Sequence, residues 1–165
     1  MKIVADRLKE IALASRIDHE IDQFGRSAFN RYYYAAYLAV REKLMEINSG
    51  WAKIPHKNLP DILTISIYKS AKNKAKKLNK NGMLNKRQEY QILTSIRACG
   101  DELSAILQSG YEARTHADYF PDEIVTRNAD NNLILYKYST HQAQSWPRRA
   151  EIRAGQLLKL WRQFG

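Results

Sequence analysis

The chain has 165 residues, of which 44% are hydrophobic and 27% are charged, and these proportions indicate a single globular domain and exclude a disordered chain. No apolar run approaches the ~18 residues of a membrane-spanning helix, and the charged N-terminus is unlike a secretory signal. Lys and Arg number 27 against 17 Asp and Glu, and this net charge of +10 favours an anionic partner: RNA, DNA, an acidic protein or an anionic membrane surface.

Apolar residues at helical spacing predict an all-α fold, an up-and-down helical bundle of about five helices in one domain over residues 1–165. The first helix is predicted from Asp6 to Asp22, with Gly25 as its stop and Ser27 as the N-cap of the second. The second helix carries an apolar stripe that we expect to be buried: Phe29, Tyr33, Ala36, Val40, Leu44 and Ile47.

The third and fourth helices are bounded by clear stop and start signals. Helix three is predicted to begin near Asp61 and to end at Lys80, before Gly82. Helix four is predicted to begin near Asn85 and to continue as far as Tyr119. Its inward stripe is Leu93, Ile96, Gly100, Leu103 and Leu107.

Residues that favour β-structure follow the fourth helix. Two runs, at 123–127 and 133–138, flank the turn-like segment 128–132, and this pattern predicts a small β-hairpin insertion near 123–138. A final helix is predicted from the apolar stripe between Ala143 and Phe164. Pro147 lies within this stripe, so it either occupies the first turn of the helix or kinks it.

The positive charge is concentrated in one stretch, which covers helix three and the start of helix four, because residues 62–88 contain eight Lys and Arg and no Asp or Glu. Four of these lysines fall on one helix face, opposite Ala71 and Leu78, and we call them the lysine row: Lys69, Lys72, Lys76 and Lys80. The row predicts either phosphate contacts, which would be independent of nucleic-acid sequence and sensitive to salt, or a plain solvated face.

A second candidate surface is a strip beside the buried stripe of helix two, made of Asn30, Tyr34, Tyr37 and Arg41. Its aromatic rings could stack on bases while Arg41 holds a phosphate. The alternative is that the tyrosines fill the periphery of the bundle and keep their hydroxyl groups in water.

The segment 111–119 carries the remaining candidate residues. In a helix, Arg114 and Asp118 are one turn apart and can pair, whereas His116 points about 200° away from Arg114. The four histidines lack metal-ligand spacing, so we expect surface histidines, no metal site and no cofactor. The single cysteine, Cys99, is expected to pack as a buried apolar residue in a cytoplasmic protein.

Two segments together resemble the HEPN (higher eukaryotes and prokaryotes nucleotide-binding) family. Residues 27–37, Ser-Ala-Phe-Asn-Arg-Tyr-Tyr-Tyr-Ala-Ala-Tyr, resemble the second helix of HEPN domains, and residues 113–119, Ala-Arg-Thr-His-Ala-Asp-Tyr, resemble the segment that ends a later helix. The loop at His56 is similar to the histidine-containing turn of that family. The resemblance covers about residues 15–119.

The resemblance implies a helical bundle that often forms a homodimer, binds RNA or another nucleic acid, and works in a prokaryotic toxin–antitoxin or phage-defence system. It also implies a nucleotidyltransferase or ATPase as a partner protein. Catalytic HEPN families carry Arg, four to six residues, then His, whereas here His116 follows Arg114 by only two positions.

Two alternatives to nucleic-acid binding alone stay open at the level of the sequence. The first is a metal-independent endoribonuclease, in which Arg114 holds the scissile phosphate, His116 assists proton transfer, and Asn30 and Tyr34 line the groove. The second is a non-catalytic module that docks onto an acidic partner protein.

Overall fold

The computed structural model describes residues 1–164, apart from the side chains of residues 52 and 53, and helices dominate this part of the chain. The predicted fold class, an all-α bundle with a small β insertion, is confirmed. The helices are α1 (Lys2–Ala14), α2 (Asp18–Ile47), α3 (Leu59–Asp61), α4 (Ile67–Lys80), α5 (Lys86–Tyr119) and α6 (Thr140–Trp161). Short 3-10 turns cover Ser49–Lys53, His56–Asn58 and Arg162–Phe164, and one π turn, Ile62–Ser66, joins α3 to α4.

The β insertion is a three-stranded antiparallel sheet, one strand more than the predicted hairpin. Its strands are β1 (Thr126–Arg127), β2 (Leu133–Leu135) and β3 (Tyr138–Ser139), in the order β1-β2-β3. The turn between β1 and β2 is the predicted asparagine-rich one: Asn128 accepts a hydrogen bond from the Asn132 backbone on its side chain, and Asn131 takes a positive φ of 55°.

The boundary between α1 and α2 differs from the prediction. The first helix ends at Ala14, and α2 begins at Asp18 and runs through Gly25 without a break. Gly25 is not a helix stop but a contact point, since a Cβ atom there would lie 2.7 Å from the Val125 side chain. Ser27 therefore lies inside α2 and is not an N-cap.

Reciprocal hydrogen bonds fix the starts of the two later helices. At α5, Asn85 accepts a bond from the Gln88 backbone and Gln88 accepts one from the Asn85 backbone. Ser139 and Gln142 form the same arrangement before α6. Pro147 lies in the interior of α6 rather than in its first turn, so the helix continues past a residue that has no backbone N–H to donate.

The sequence predicts one domain, and the structure divides into two compact units. Unit 1 comprises Met1–Leu38 and Leu107–Arg149, and unit 2 comprises Ala39–Ile106 and the chain from Ala150 onward. Each unit has its own buried apolar residues. In unit 1 they include Phe29, Tyr32, Tyr33, Leu133, Leu135 and Trp146. In unit 2 they include Val40, Leu44, Leu59, Leu63, Ile67, Ile96, Leu103 and Leu157.

A glycine allows close packing inside unit 2. A Cβ atom on Gly100 would lie 2.3 Å from the carbonyl oxygen of Leu63, which belongs to the π turn. Only a residue without a side chain allows the α5 backbone to approach the π turn this closely. The prediction that Gly100 belongs to the inward face of its helix is confirmed, as is the burial of the stripe residues Leu93, Ile96, Leu103 and Leu107.

Candidate functional site

The net charge of the chain belongs almost entirely to unit 2. Unit 1 has 11 Lys and Arg against 10 Asp and Glu, a net charge of +1. Unit 2 has 16 Lys and Arg against 7 Asp and Glu, a net charge of +9. An anionic partner attracted by charge therefore has its strongest target on unit 2.

The lysine row on α4 is a regular array of exposed charges. Lys69, Lys72, Lys76 and Lys80 are all exposed, and within the described part of the chain none of them makes an ion pair. The opposite face of α4 is apolar and buries Ile67, Ala71 and Ala75. The prediction that these four lysines share a face opposite Ala71 is confirmed by this division of the helix.

The strip predicted on α2 is less accessible than its pattern indicates. Tyr37 is buried, with 5% of its surface exposed, and its ring lies 6.2 Å from that of Tyr33. Tyr34 is half-buried, with its ring 5.4 Å from Tyr33. Arg41 is half-buried and belongs to unit 2, whereas Asn30, Tyr34 and Tyr37 belong to unit 1. In this structure the Tyr37 ring offers no free face for a base to stack on.

Asp118 connects two of the predicted site residues. Its Oδ1 accepts a hydrogen bond from the Asn30 side-chain amide at 2.8 Å, and its Oδ2 lies 2.8 Å from Nε of Arg114. The Arg114 contact is an ion pair without hydrogen-bond geometry, because Nε makes no hydrogen bond to the described residues. The predicted pairing of Arg114 with Asp118 is confirmed.

The Arg114 guanidinium carries a positive charge and already contacts Asp118 and Tyr119. Its Cζ lies 5.4 Å from the centre of the Tyr119 ring. Burial lowers the pKa of Arg114. The negative charge of Asp118 and the neighbouring Tyr34 raise this pKa by more than burial lowers it, so that the net pKa lies above its ordinary value. An anionic ligand at Arg114 would have to compete with Asp118 for this charge.

His116 is packed in unit 1, and the prediction of a surface histidine is wrong for this residue. Its ring stacks on Tyr136, at 4.1 Å between centroids, and on Phe120, at 4.7 Å. Its Nδ1 lies 2.6 Å from the Glu123 carboxylate. The sheet turn that supplies Tyr136 is distant in sequence, and the periodicity of α5 gives no sign of it.

The structure does not bring Arg114 and His116 to one reacting atom. The segment is helical as far as Tyr119, so the two side chains leave the helix about 200° apart. Arg114 contacts Asp118 and Tyr119, whereas His116 contacts Glu123, Phe120 and Tyr136.

Arg26 is the polar residue whose importance the sequence does not indicate. Its guanidinium donates hydrogen bonds to the backbone carbonyls of His116, Ala117 and Phe120 at the C-terminus of α5, and to those of Pro121 and Glu123 beyond it. Its Nε pairs with Asp22, which also accepts a bond from the Val125 backbone. Arg26 thus caps α5, since the last carbonyls of a helix have no partner within the helix.

The described residues show neither a cluster of His, Cys, Asp and Glu suited to a metal ion nor a helix long and apolar enough to cross a membrane. In comparisons with known proteins, no family model, no curated protein and no solved structure matches the chain.

Proposed function

We propose that this protein is a HEPN-like helical protein that binds RNA through the lysine row of unit 2, as a component of a prokaryotic toxin–antitoxin or phage-defence system. The biological setting, a homodimer and a nucleotidyltransferase or ATPase partner rest on the sequence resemblance alone. The RNA-binding part rests on the charge distribution and on the surface of α4.

The observation that carries the proposal is the exposed, unpaired state of the lysine row. Successive lysines are separated by about 4.5–6 Å along the helix axis, and the row extends over about 16 Å. Such a row fits a polyanion whose charges repeat along a line, as they do in a nucleic-acid backbone.

The row is unfavourable without a partner. Like charges one turn apart on a helix destabilise it by a few tenths of a kcal/mol per pair. A phosphate backbone neutralises these charges and releases counterions, which gives RNA binding a large and salt-dependent driving force. Contacts of this kind go to phosphates and carry no base specificity by themselves.

The test is the salt dependence of RNA binding by the K69Q/K72Q/K76Q/K80Q variant. A matched control removes four exposed positive charges from unit 1 instead, in R7Q/R16Q/R31Q/R148Q. Each lost contact to a single strand lowers the slope of log K against log salt by about 0.7, so the unit 2 variant should lose about three units. The control should keep a slope near that of the wild type.

Equal loss of slope in both variants would mean that RNA responds only to total charge, and the proposal for the row would be wrong. RNA binding that is unchanged in the unit 2 variant would also contradict it. If the wild type retains an acidic protein but no RNA, the row is a docking surface for a protein.

Cleavage is tested separately, by incubating the wild type with total RNA in EDTA. Arg114 is already paired with Asp118, and His116 does not reach the same atom as Arg114. We therefore expect the protein to retain intact RNA in a salt-sensitive way and not to cleave it. Cleavage that is lost in both R114A and H116A, with folding intact, would instead establish the metal-independent endoribonuclease.

A further inference from the structure

A groove of about 390 Å³ lies between α5 and α6 within unit 2, and no lysine of the lysine row lines it. Its α5 side is lined by Ser95, Ala98 and Cys99, and its α6 side by Arg153, Lys159 and Leu160. This volume is near the lower end of the ~300–1,000 Å³ range of small-molecule sites, which limits the occupant to a small ligand.

The interior of the groove is apolar. Ala98 and Cys99 are small side chains on neighbouring positions of α5, and Leu160 faces them from α6. The Cys99 side chain is almost fully buried, and burial is the main reason that the pKa of its thiol is raised. Cys99 is therefore a protonated, weakly polar wall of the groove at neutral pH.

The edge of the groove carries one uncompensated positive charge. Arg153 is held by Glu102, at 2.6 Å from Nε, and by Gln156, which accepts a bond of 2.8 Å from Nη1. Glu102 offsets the charge of Arg153. Lys159 is exposed and makes no ion pair with any residue in the described part of the chain.

We propose that this groove binds a small amphipathic carboxylate, with an apolar chain lying on Ala98, Cys99 and Leu160 and its carboxylate paired with Lys159. Apolar walls with one free cation at the edge match a ligand that has one apolar end and a single negative charge. The site is independent of the proposed RNA contacts, because neither Lys159 nor the groove walls belong to the lysine row.

The test is a calorimetric titration of the full-length protein with octanoate, with butyrate and octanol as matched probes. Octanoate should bind saturably, whereas butyrate lacks the chain and octanol lacks the charge, so both should bind more weakly. K159Q should weaken octanoate binding about threefold to fivefold, as expected for one exposed ion pair. K77Q, which removes an exposed lysine of α4 that is not part of the lysine row, should leave the affinity for octanoate unchanged.

The single cysteine supplies a second readout at the site itself. Octanoate should slow the alkylation of Cys99 by N-ethylmaleimide, about tenfold when the ligand is at nine times its dissociation constant. A98L fills the groove from a position exposed to solvent. This variant should show neither the heat of octanoate binding nor the protection of Cys99 from alkylation, and its helical circular dichroism should stay unchanged.

Absence of saturable heat and of Cys99 protection in the wild type would overturn the proposal. So would octanoate binding that is equal in the wild type, K159Q and A98L, because the ligand would then lie elsewhere. Equal binding of octanol and octanoate would overturn the role of Lys159.

Discussion

The polar network on α2 and α5 of unit 1 and the lysine row on α4 of unit 2 use charged side chains in different ways. On α2 and α5 of unit 1, charged and polar groups bind one another: Arg26 binds Asp22 and the end of α5, Asp118 binds Arg114 and Asn30, and His116 binds Glu123. On α4 of unit 2, the lysine row faces solvent and makes no ion pair with the described residues. The unit 1 network thus uses its charges to stabilise the fold, whereas the charges of the lysine row stay available to a partner, and net charge alone does not distinguish the two uses.

This comparison leads to a clear expectation for mutations. Removing a charged group from the unit 1 network should lower the free energy of unfolding, whereas removing a lysine of the row should change RNA binding and leave stability almost unaltered. Substitutions in the apolar cores of the two units are expected to lower stability more than any substitution of a charged group.

The largest effect is expected from Val40→Asp in the core of unit 2. Val40 has no exposed surface, so the substitution buries an unpaired carboxylate at a cost of several kcal/mol. A domain of this size is stable by only ~5–15 kcal/mol. Thermal unfolding followed by circular dichroism should show a large fall in Tm. Met45→Asp, on an exposed position of the same helix, is the control, and a similar fall in both variants would contradict the assigned core.

The next largest effect is expected from Arg26→Ala, which tests whether the charged groups of the unit 1 network stabilise the fold. It leaves the end of α5 without its cap and strands the partly buried Asp22 carboxylate. We expect a loss of about 2–3 kcal/mol in chemical denaturation. Arg31→Ala, an exposed position on the same helix, should stay within about 0.5 kcal/mol of the wild type. If the two variants are equally stable, Arg26 is no more important than a surface arginine.

A smaller effect is expected at Arg114 and Asp118, which a double-mutant cycle can isolate. Both side chains are mostly shielded, with 20% and 28% of their surfaces exposed, so each alanine variant should lose about 1 kcal/mol. The double variant should lose less than the sum of the two, by about 0.5–1 kcal/mol. If the cycle shows no coupling energy between Arg114 and Asp118, and R114A alone loses RNA binding, then Arg114 binds RNA and does not stabilise the fold.

The smallest effect is expected from the pH dependence of unit 1. Burial raises the pKa of Asp6, but hydrogen bonds from Lys2, Tyr32 and Gln144 prevail, so that its folded-state pKa is lowered. The resulting stability is fully present above the unfolded pKa of ~3.9 and is lost as the pH falls through the folded value.

Chemical denaturation of the wild type and Asp6→Asn at several pH values checks this expectation. The wild type should be the more stable at neutral pH, and the difference should shrink in acid. Asp122→Asn, at an exposed carboxylate without an ion pair in the described chain, is the control. A difference for Asp6→Asn that does not change with pH would mean that its carboxylate contributes nothing by its charge.

The helices that follow a local pattern were predictable. Helix α5 begins with the Asn85–Gln88 bonds and ends at Tyr119, as its start signal and apolar spacing indicate. The buried positions Tyr33 and Val40 and the exposed lysine row also follow from a period of 3.6 residues. Each of these features depends on residues within a few turns of one another.

The features that failed prediction depend on partners far along the chain. Gly25 is a residue type that often ends a helix, yet α2 runs through it, and the missing side chain leaves room for Val125, one hundred residues later. His116 lies among polar residues in sequence, but the ring of Tyr136, twenty residues later in the sheet turn, stacks on it. No local pattern records such contacts.

The sequence by itself determined the helical class, the excess of positive charge and the face of α4 that carries the lysines, because helix periodicity and charge are local and additive properties. The tertiary structure alone decided which charges are neutralised, that Arg26 caps α5, and that a groove opens beside Cys99. The physical reason is that an ion pair or a cavity depends on distances of a few ångströms between residues that can lie up to about a hundred positions apart, and these distances exist only after the apolar faces have packed.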